Sequence, residues 1–214
     1  MRVPEHLAVI PDGNRRWAER HGLKREQGYQ FGLAPGVQLL RQAKAAGVKE
    51  LTFYGFTTDN CKRPRAQRES FSAACVEAVR LLSGEGADLL VVGNYASPHF
   101  PPELLPYQTR RQVAGGGIRL NFLVNYGWEW DLAGICDVAN PTRPGLCAGL
   151  RSHDVSRIDL VVRWGGMRRL SGLLPVQAVY ADFFVVEALW PDCQPEHLQA
   201  ALQWYDQQDV TLGG

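Results

Sequence analysis

The stretch PDGNRRWA, residues 11–18, follows the apolar run HLAVI. It carries one carboxylate, Asp12, then Gly13, Asn14, Arg15 and Arg16. A strand that ends in a glycine-containing turn and opens a helix exposes backbone N–H groups without internal partners. Such groups favour an anion. Asp12 in the same turn would repel that anion unless a cation lay between them, so the stretch asks for both a phosphate and a metal ion. Each part has a plain structural reading: Pro-Asp-Gly is turn chemistry, and Arg-Arg suits a solvated helix face. Their combination favours a site. Downstream, FTTDNCKRP adds Thr57, Thr58, Asp59, Asn60, Lys62 and Arg63, and RWGGMRRLS adds Arg163, Arg168, Arg169 and Ser171.

The elements that must position these residues follow from alternation. Strand candidates are His6–Ile10, Leu51–Phe56, Asp88–Val92, Arg119–Asn125 and Asp159–Trp164. Between the first two, Pro35 suits a first helical turn and Gly47 a C-terminal stop. Pro64 opens a second helix with Phe71, Ala74, Cys75, Ala78, Val79 and Leu82 on one face, a stripe that reads as core. Pro101–Val113, Trp130–Ala139 and Pro195–Gln208 read as further helices, and Asn140–Arg157 as an irregular loop. There is no repeat, linker or low-complexity tract, so residues 1–214 read as one domain. Repeated strand–helix units with near-continuous apolar strands predict an α/β fold: a doubly wound, mostly parallel sheet flanked by helices. Ligands on such sheets sit beyond the carboxyl ends of the strands. Asp12–Arg16, Asn60, Arg63, Arg163, Arg169 and Ser171 fall at three such ends, and Arg25, after the first short helix, can join them. Guanidinium forks and backbone N–H groups suit the oxygens of a diphosphate.

Lys+Arg 23 against Asp+Glu 22 leaves the chain near neutral, which argues against a general nucleic-acid surface but allows a local basic pocket. Five cysteines, an odd number without a C-x-x-C pair, argue against a disulfide framework or a zinc site and predict a reducing, cytoplasmic setting. The opening MRVPEHLAVIPDG is too short an apolar run for a signal peptide or a membrane span.

HLAVIPDGNRRWA, FTTDNCKRP, DLVVRWGGMRRLS and VYADFFVVEALWPD resemble, in order, the segments of the cis-prenyltransferases, the undecaprenyl diphosphate synthase family. The likeness runs from about His6 into the last helix. No two aspartates are adjacent, so the paired DDxxD motifs of the trans-type synthases are absent. The resemblance implies that Gly13–Arg16 cradle an allylic diphosphate, with Arg25 and Arg63 as further contacts. It implies Asn60 as the catalytic asparagine, and Arg163, Arg169 and Ser171 as the pocket for the second diphosphate. It implies Asp12 as a Mg2+ ligand, with Asp182, where the family carries glutamate, as the second carboxylate at the metal. It also implies a homodimer joined through the segment after Asp159, with Phe183, Phe184, Val185, Val186, Leu189 and Trp190 as interface or core.

The chain also departs from the family pattern. Met167 stands for the glutamate of GGE, Cys61 for a tryptophan, Tyr29 for a histidine, Gly172 for an asparagine and Pro175 for a tryptophan. The end, VTLGG, lacks an arginine that the family lends to the partner's second site, and Pro64–Gly93, a wall of the lipid tunnel, is short. These departures predict a short-chain enzyme coupling dimethylallyl or geranyl diphosphate to a second C5 diphosphate, with head-to-middle coupling as in lavandulyl-type members. The alternatives are a regular cis-polyprenyl diphosphate synthase using isopentenyl diphosphate, a non-catalytic partner subunit, and a sugar- or nucleotide-phosphate-binding protein. Accessory subunits typically lose the first-motif aspartate, whereas Asp12, Asn60 and Arg63 are present here and favour an enzyme.

Overall fold

In the computed structural model, which describes residues 1–136, 139 and 142–209, seven strands form one sheet. They are β1 (His6–Ile10), β2 (Glu50–Tyr54), β3 (Ala87–Val92), β4 (Arg111–Val113), β5 (Ile118–Leu123), β6 (Leu160–Trp164) and β7 (Asp182–Val186). The order is β4-β3-β5-β2-β1-β6-β7, all parallel except the β3–β4 pair. β1 pairs with β2 on one side and β6 on the other, and all five of its residues are buried. Its alternate residues feed two cores, which is why HLAVI has no polar face. Leu7 and Val9 face the core under α2 (Leu33–Ala46), α3 (Arg65–Ser83) and α6 (Pro195–Asp206). Ala8 and Ile10 face a thinner layer built on Val155, Ile158, Leu173 and Leu174. The remaining helices are short: α1 (Asn14–Arg20), α4 (Trp128–Leu132) and α5 (Arg143–Gly149).

Several elements differ from the sequence expectation. Pro101–Val113 is a 3-10 turn over Pro102–Tyr107 followed by β4, because Pro106 lacks the N–H that a helix would need. The expected loop 140–157 contains α5, opened by Thr142, whose side chain accepts from the Gly145 N–H, with a proline in the first turn. The expected helix Trp130–Ala139 is α4 followed by a tight turn over Ala133–Ile135, and part of its span lies outside the described residues. The sequence does not mark β7 as a strand, because no turn residue closes DFFVV, which runs on into EALW. The VTLGG tail also lies outside the described residues. Among the described residues no helix is long and apolar enough to cross a membrane.

Candidate active site

The carboxyl ends of β2, β1 and β6 are neighbours, and the loops that leave them enclose a cavity of about 480 Å3. Asp12, Gly13, Asn14, Arg15, Arg16, Arg25, Asn60, Arg63, Arg163, Arg169 and Ser171 all line it. Tyr29, Tyr54, Phe71 and Met167 supply its less polar wall.

The β1 loop is shaped by Gly13, whose φ of 117° is open to glycine. A Cβ there would lie 2.8 Å from Leu189 Cδ2 and 3.0 Å from Leu189 Cα, so the close approach needs glycine twice over. The Asp12 carbonyl accepts from Trp190 N at 3.0 Å, which ties this loop to the segment after β7. α1 then starts at Asn14, and Trp17 N donates to Gly13 O as its first internal bond. The N–H groups that precede Trp17 in this turn are those a helix cannot satisfy itself.

Asp12 is the electrostatic hub. Arg163 Nη2 donates to its Oδ2 at 2.8 Å, and Arg16 Nη2 lies 3.5 Å from its Oδ1. Arg163 is buried on β6 and also donates through Nη1 to Ser171 Oγ at 2.8 Å and to the Arg169 carbonyl. Its Nε and the Arg16 Nη2 are buried without hydrogen-bond partners. Buried guanidinium donors without acceptors are costly unless a ligand completes them, and an anion does so. Gly165 makes room for this arrangement: a Cβ there would stand 2.5 Å from Arg16 Nη2.

On the β2 side, Thr57 and Asn60 cap each other. Asn60 N donates to Thr57 Oγ1 at 3.3 Å and Thr57 N donates to Asn60 Oδ1 at 3.1 Å, which opens the tight turn Thr58–Lys62. The Asn60 side-chain oxygen is thus held by the turn, and Asn60 lines the cavity. Arg63 Nη1 donates to Tyr29 Oη at 3.1 Å, and burial lowers the Arg63 pKa. The same burial raises the Tyr29 pKa, against the nearby Arg63 charge. Tyr29 stacks on Phe71 with centroids 4.5 Å apart and planes 4° off parallel. Phe71 meets Phe56 edge-on at 5.4 Å, and Phe56 lines a second cavity of about 570 Å3 on the far side. Arg25 reaches the rim but pairs with Glu19 at 2.6 Å, both half exposed.

Asp182 is the one expected site residue that the structure does not bring here. It opens β7 opposite Leu160, and Leu160 pairs with Leu7 near the foot of β1. Asp12 lies past the far end of the strand, in the turn after Ile10, which is itself roughly 10 Å from Leu7 at ~3.3 Å per strand residue. The expected pairing of Asp12 and Asp182 on one metal within a chain is therefore corrected. Among the described residues no three His, Cys, Asp or Glu side chains gather as a metal cage. Tyr54 was missed altogether. The sequence carries no signal for it, because the strand reads as continuing to Phe56 whereas β2 ends at Tyr54.

A mostly parallel sheet with an arginine-lined cavity of about 480 Å3 at its carboxyl edge, Asp12 among its lining residues, is the ligand-binding arrangement of the doubly wound class. The family model for undecaprenyl diphosphate synthase matches residues 10–213, and the chain belongs to this family, the cis-prenyltransferases; it is a prenyltransferase. It is 32% identical to the ditrans,polycis-undecaprenyl-diphosphate synthase ((2E,6E)-farnesyl-diphosphate specific) of Pectobacterium atrosepticum, over 99% of this chain and 90% of that one. It is 29% identical to an isoprenyl transferase of Oceanobacillus iheyensis, over 99% and 91%. Lavandulyl diphosphate synthase from Lavandula x intermedia, solved with dimethylallyl diphosphate, matches with a TM-score of 0.87 over 99% of both chains. At 21% identity that likeness is one of fold.

Proposed function

We propose that the protein is a short-chain cis-prenyltransferase joining dimethylallyl or geranyl diphosphate to a second C5 diphosphate. The observation that carries the short-chain reading is the aromatic block behind the cavity. Tyr29, Phe71 and Phe56 stand in contact between the 480 Å3 cavity and the 570 Å3 cavity beyond it. A growing apolar chain gains about 0.8 kcal/mol per buried CH2 only where it has space to enter.

In this reading the backbone from Gly13 to Arg16, with Arg25 and Arg63, binds the allylic diphosphate. Arg163, Arg169 and Ser171 bind the second. The allylic C–O bond breaks with its electron pair going to the departing diphosphate, where the guanidinium groups stabilise the charge. The double bond of the second substrate attacks the allylic carbon, a C–C bond forms, and a proton leaves to a base. Asn60 stands beside this reaction space. The donor set suits Mg2+: Asp12 offers hard carboxylate oxygen in a turn with free backbone N–H groups, and Mg2+ characteristically shares its sites with phosphate and water. Bound there, Mg2+ would neutralise charge developing on the leaving diphosphate. We further propose a homodimer, on the apolar edge formed by β7.

Met167 beside Arg169 and Ser171, where the family carries a carboxylate, supports altered seating of the second substrate and thus head-to-middle coupling. The 32% identity to an undecaprenyl diphosphate synthase favours a regular synthase instead. Product analysis decides. Protein with Mg2+ and dimethylallyl or geranyl diphosphate, with and without isopentenyl diphosphate, is expected to give products of about ten to fifteen carbons after phosphatase treatment. Linear chains beyond about eight units would overturn the short-chain reading. Linear cis products formed only with isopentenyl diphosphate would overturn the irregular one.

A further inference from the structure

We propose that Tyr54 is a positioning residue: its hydroxyl holds Ser171 in the conformation from which Ser171 aims Arg163 at the second diphosphate. This rests on the reading of Arg163, Arg169 and Ser171 as that substrate's site. Tyr54 is the last residue of β2 and is buried. Its hydroxyl donates to the Ser171 carbonyl at 2.7 Å. Ser171 has φ 54°, a left-handed backbone that a residue with a Cβ adopts only when its surroundings impose it. Gly172 follows at φ 81° and Leu174 at φ 31°, so this turn is shaped by what grips it rather than by local preference.

The grip has a direct outlet. Ser171 Oγ accepts from Arg163 Nη1 at 2.8 Å, and Arg163 Nη2 donates to Asp12 Oδ2 at 2.8 Å. One hydrogen-bonded line thus crosses the ends of β2, β6 and β1, from Tyr54 through Ser171 and Arg163 to Asp12. With both Nη groups anchored, the orientation of the guanidinium is set, and its buried Nε is the donor left without an acceptor. Burial raises the Tyr54 pKa well above that of an ordinary phenol, so the hydroxyl remains a donor across the neutral range and the line keeps its direction. Removing the hydroxyl frees the Ser171 carbonyl, and the neighbouring glycine lets the turn relax.

The test is steady-state kinetics of Tyr54→Phe, which keeps the ring and deletes only the hydroxyl. The KM for the acceptor diphosphate is expected to rise about fivefold to tenfold, the scale of one lost hydrogen bond, with the donor KM within about twofold. In a Ser171→Gly background the same change should do almost nothing further, because glycine adopts the turn freely and no hydroxyl remains to be aimed. An unmoved acceptor KM, an equal rise for both substrates, a lowered melting temperature alone, or full additivity with Ser171→Gly would overturn the role. Calorimetric titration with inorganic diphosphate separates this from the functional reading. If the wild-type protein couples no substrate pair, that reading falls. Weakening in Tyr54→Phe of the same diphosphate site that Arg163→Ala removes, and not of the other, would still uphold the positioning role, and any other binding pattern would overturn it.

Discussion

Asp12 meets a guanidinium on each carboxylate oxygen, one at hydrogen-bond distance and one at 3.5 Å. Its partner Arg163 has two further acceptors, Ser171 Oγ and the Arg169 carbonyl. Asp12→Asn keeps an oxygen for Arg163 but removes the charge that a cation requires. Turnover is expected to fall by at least about a hundredfold, the scale on which charge-stabilising groups act, while thermal melting shifts little. A variant turning over near the wild-type rate would remove Asp12 from the chemistry. At this scale the sequence was informative wherever a residue followed a strand that could be recognised. PDGNRR after HLAVI and RP after the β2 turn fall at the cavity because their strands are plain. Asp182 entered through the resemblance alone, and no recognised strand told the start of β7 from its end. Tyr54 was silent because its role passes through a backbone carbonyl, and its target bears no sequence mark.

Among the elements, α3 supplies the block. Its buried positions Cys75, Val79 and Leu82 face the core as the apolar stripe predicts, while Phe71, a turn earlier, reaches the cavity wall. Phe71→Ala should join the two cavities and lengthen the products, measurable by mass spectrometry, with a stability loss below the ~3–5 kcal/mol of a fully buried phenylalanine. Unchanged product length would relieve Phe71 of that role. At the opposite end of the strands lies a polar network. His6 Nε2 accepts from the Thr52 hydroxyl at 2.8 Å, and its Nδ1–H faces the Ser156 and Arg157 carbonyls. Burial lowers the His6 pKa, against the charge of Glu50, so the folded protein keeps this ring neutral below its usual value. The unfolded chain takes up that proton from about pH 6.5 downward, so stability should begin to fall there. Burial raises the Asp154 pKa, but Arg110 and Arg119 outweigh it and leave it lowered. Its contribution is present above about pH 4 and is lost as pH falls through the depressed value. Denaturant titrations at pH 7.5 and 5 read the first loss, and His6→Gln should flatten it. None of this network was legible beforehand, because its members come from β1, β2, β5 and the 152–157 loop, which register alone brings together.

The whole molecule has two sheet edges. One is closed by the short antiparallel β4, which carries exposed Arg111 and Gln112. The other is β7, apolar and, among the described residues, unpaired on its outer side, with Val179 and Tyr180 exposed just before it. An edge of this kind is a template for association. Of the residues expected as interface or core, Val186, Leu189 and Trp190 are buried in this chain, and Phe184 packs on Trp204 at 5.4 Å. The apolar segment was readable, but not its division between the chain's own core and a neighbour. Sedimentation at micromolar concentration is expected to give a dimer, and Tyr180→Glu to weaken it; a wild-type monomer would contradict the assembly.

β1 lies in the interior of the sheet, and one of its two neighbours, β6, comes far later in the sequence. Roughly 150 residues separate Ile10 from Leu160, about 8–30 s of ribosomal elongation at ~5–20 residues per second. Throughout that interval β1 has an open apolar flank, and the turn that carries Asp12 has neither Arg163 nor Trp190 to hold it. On a growing chain β1 therefore completes its sheet pairing, and the Asp12 turn its contacts, only after the segment through Trp190 has emerged.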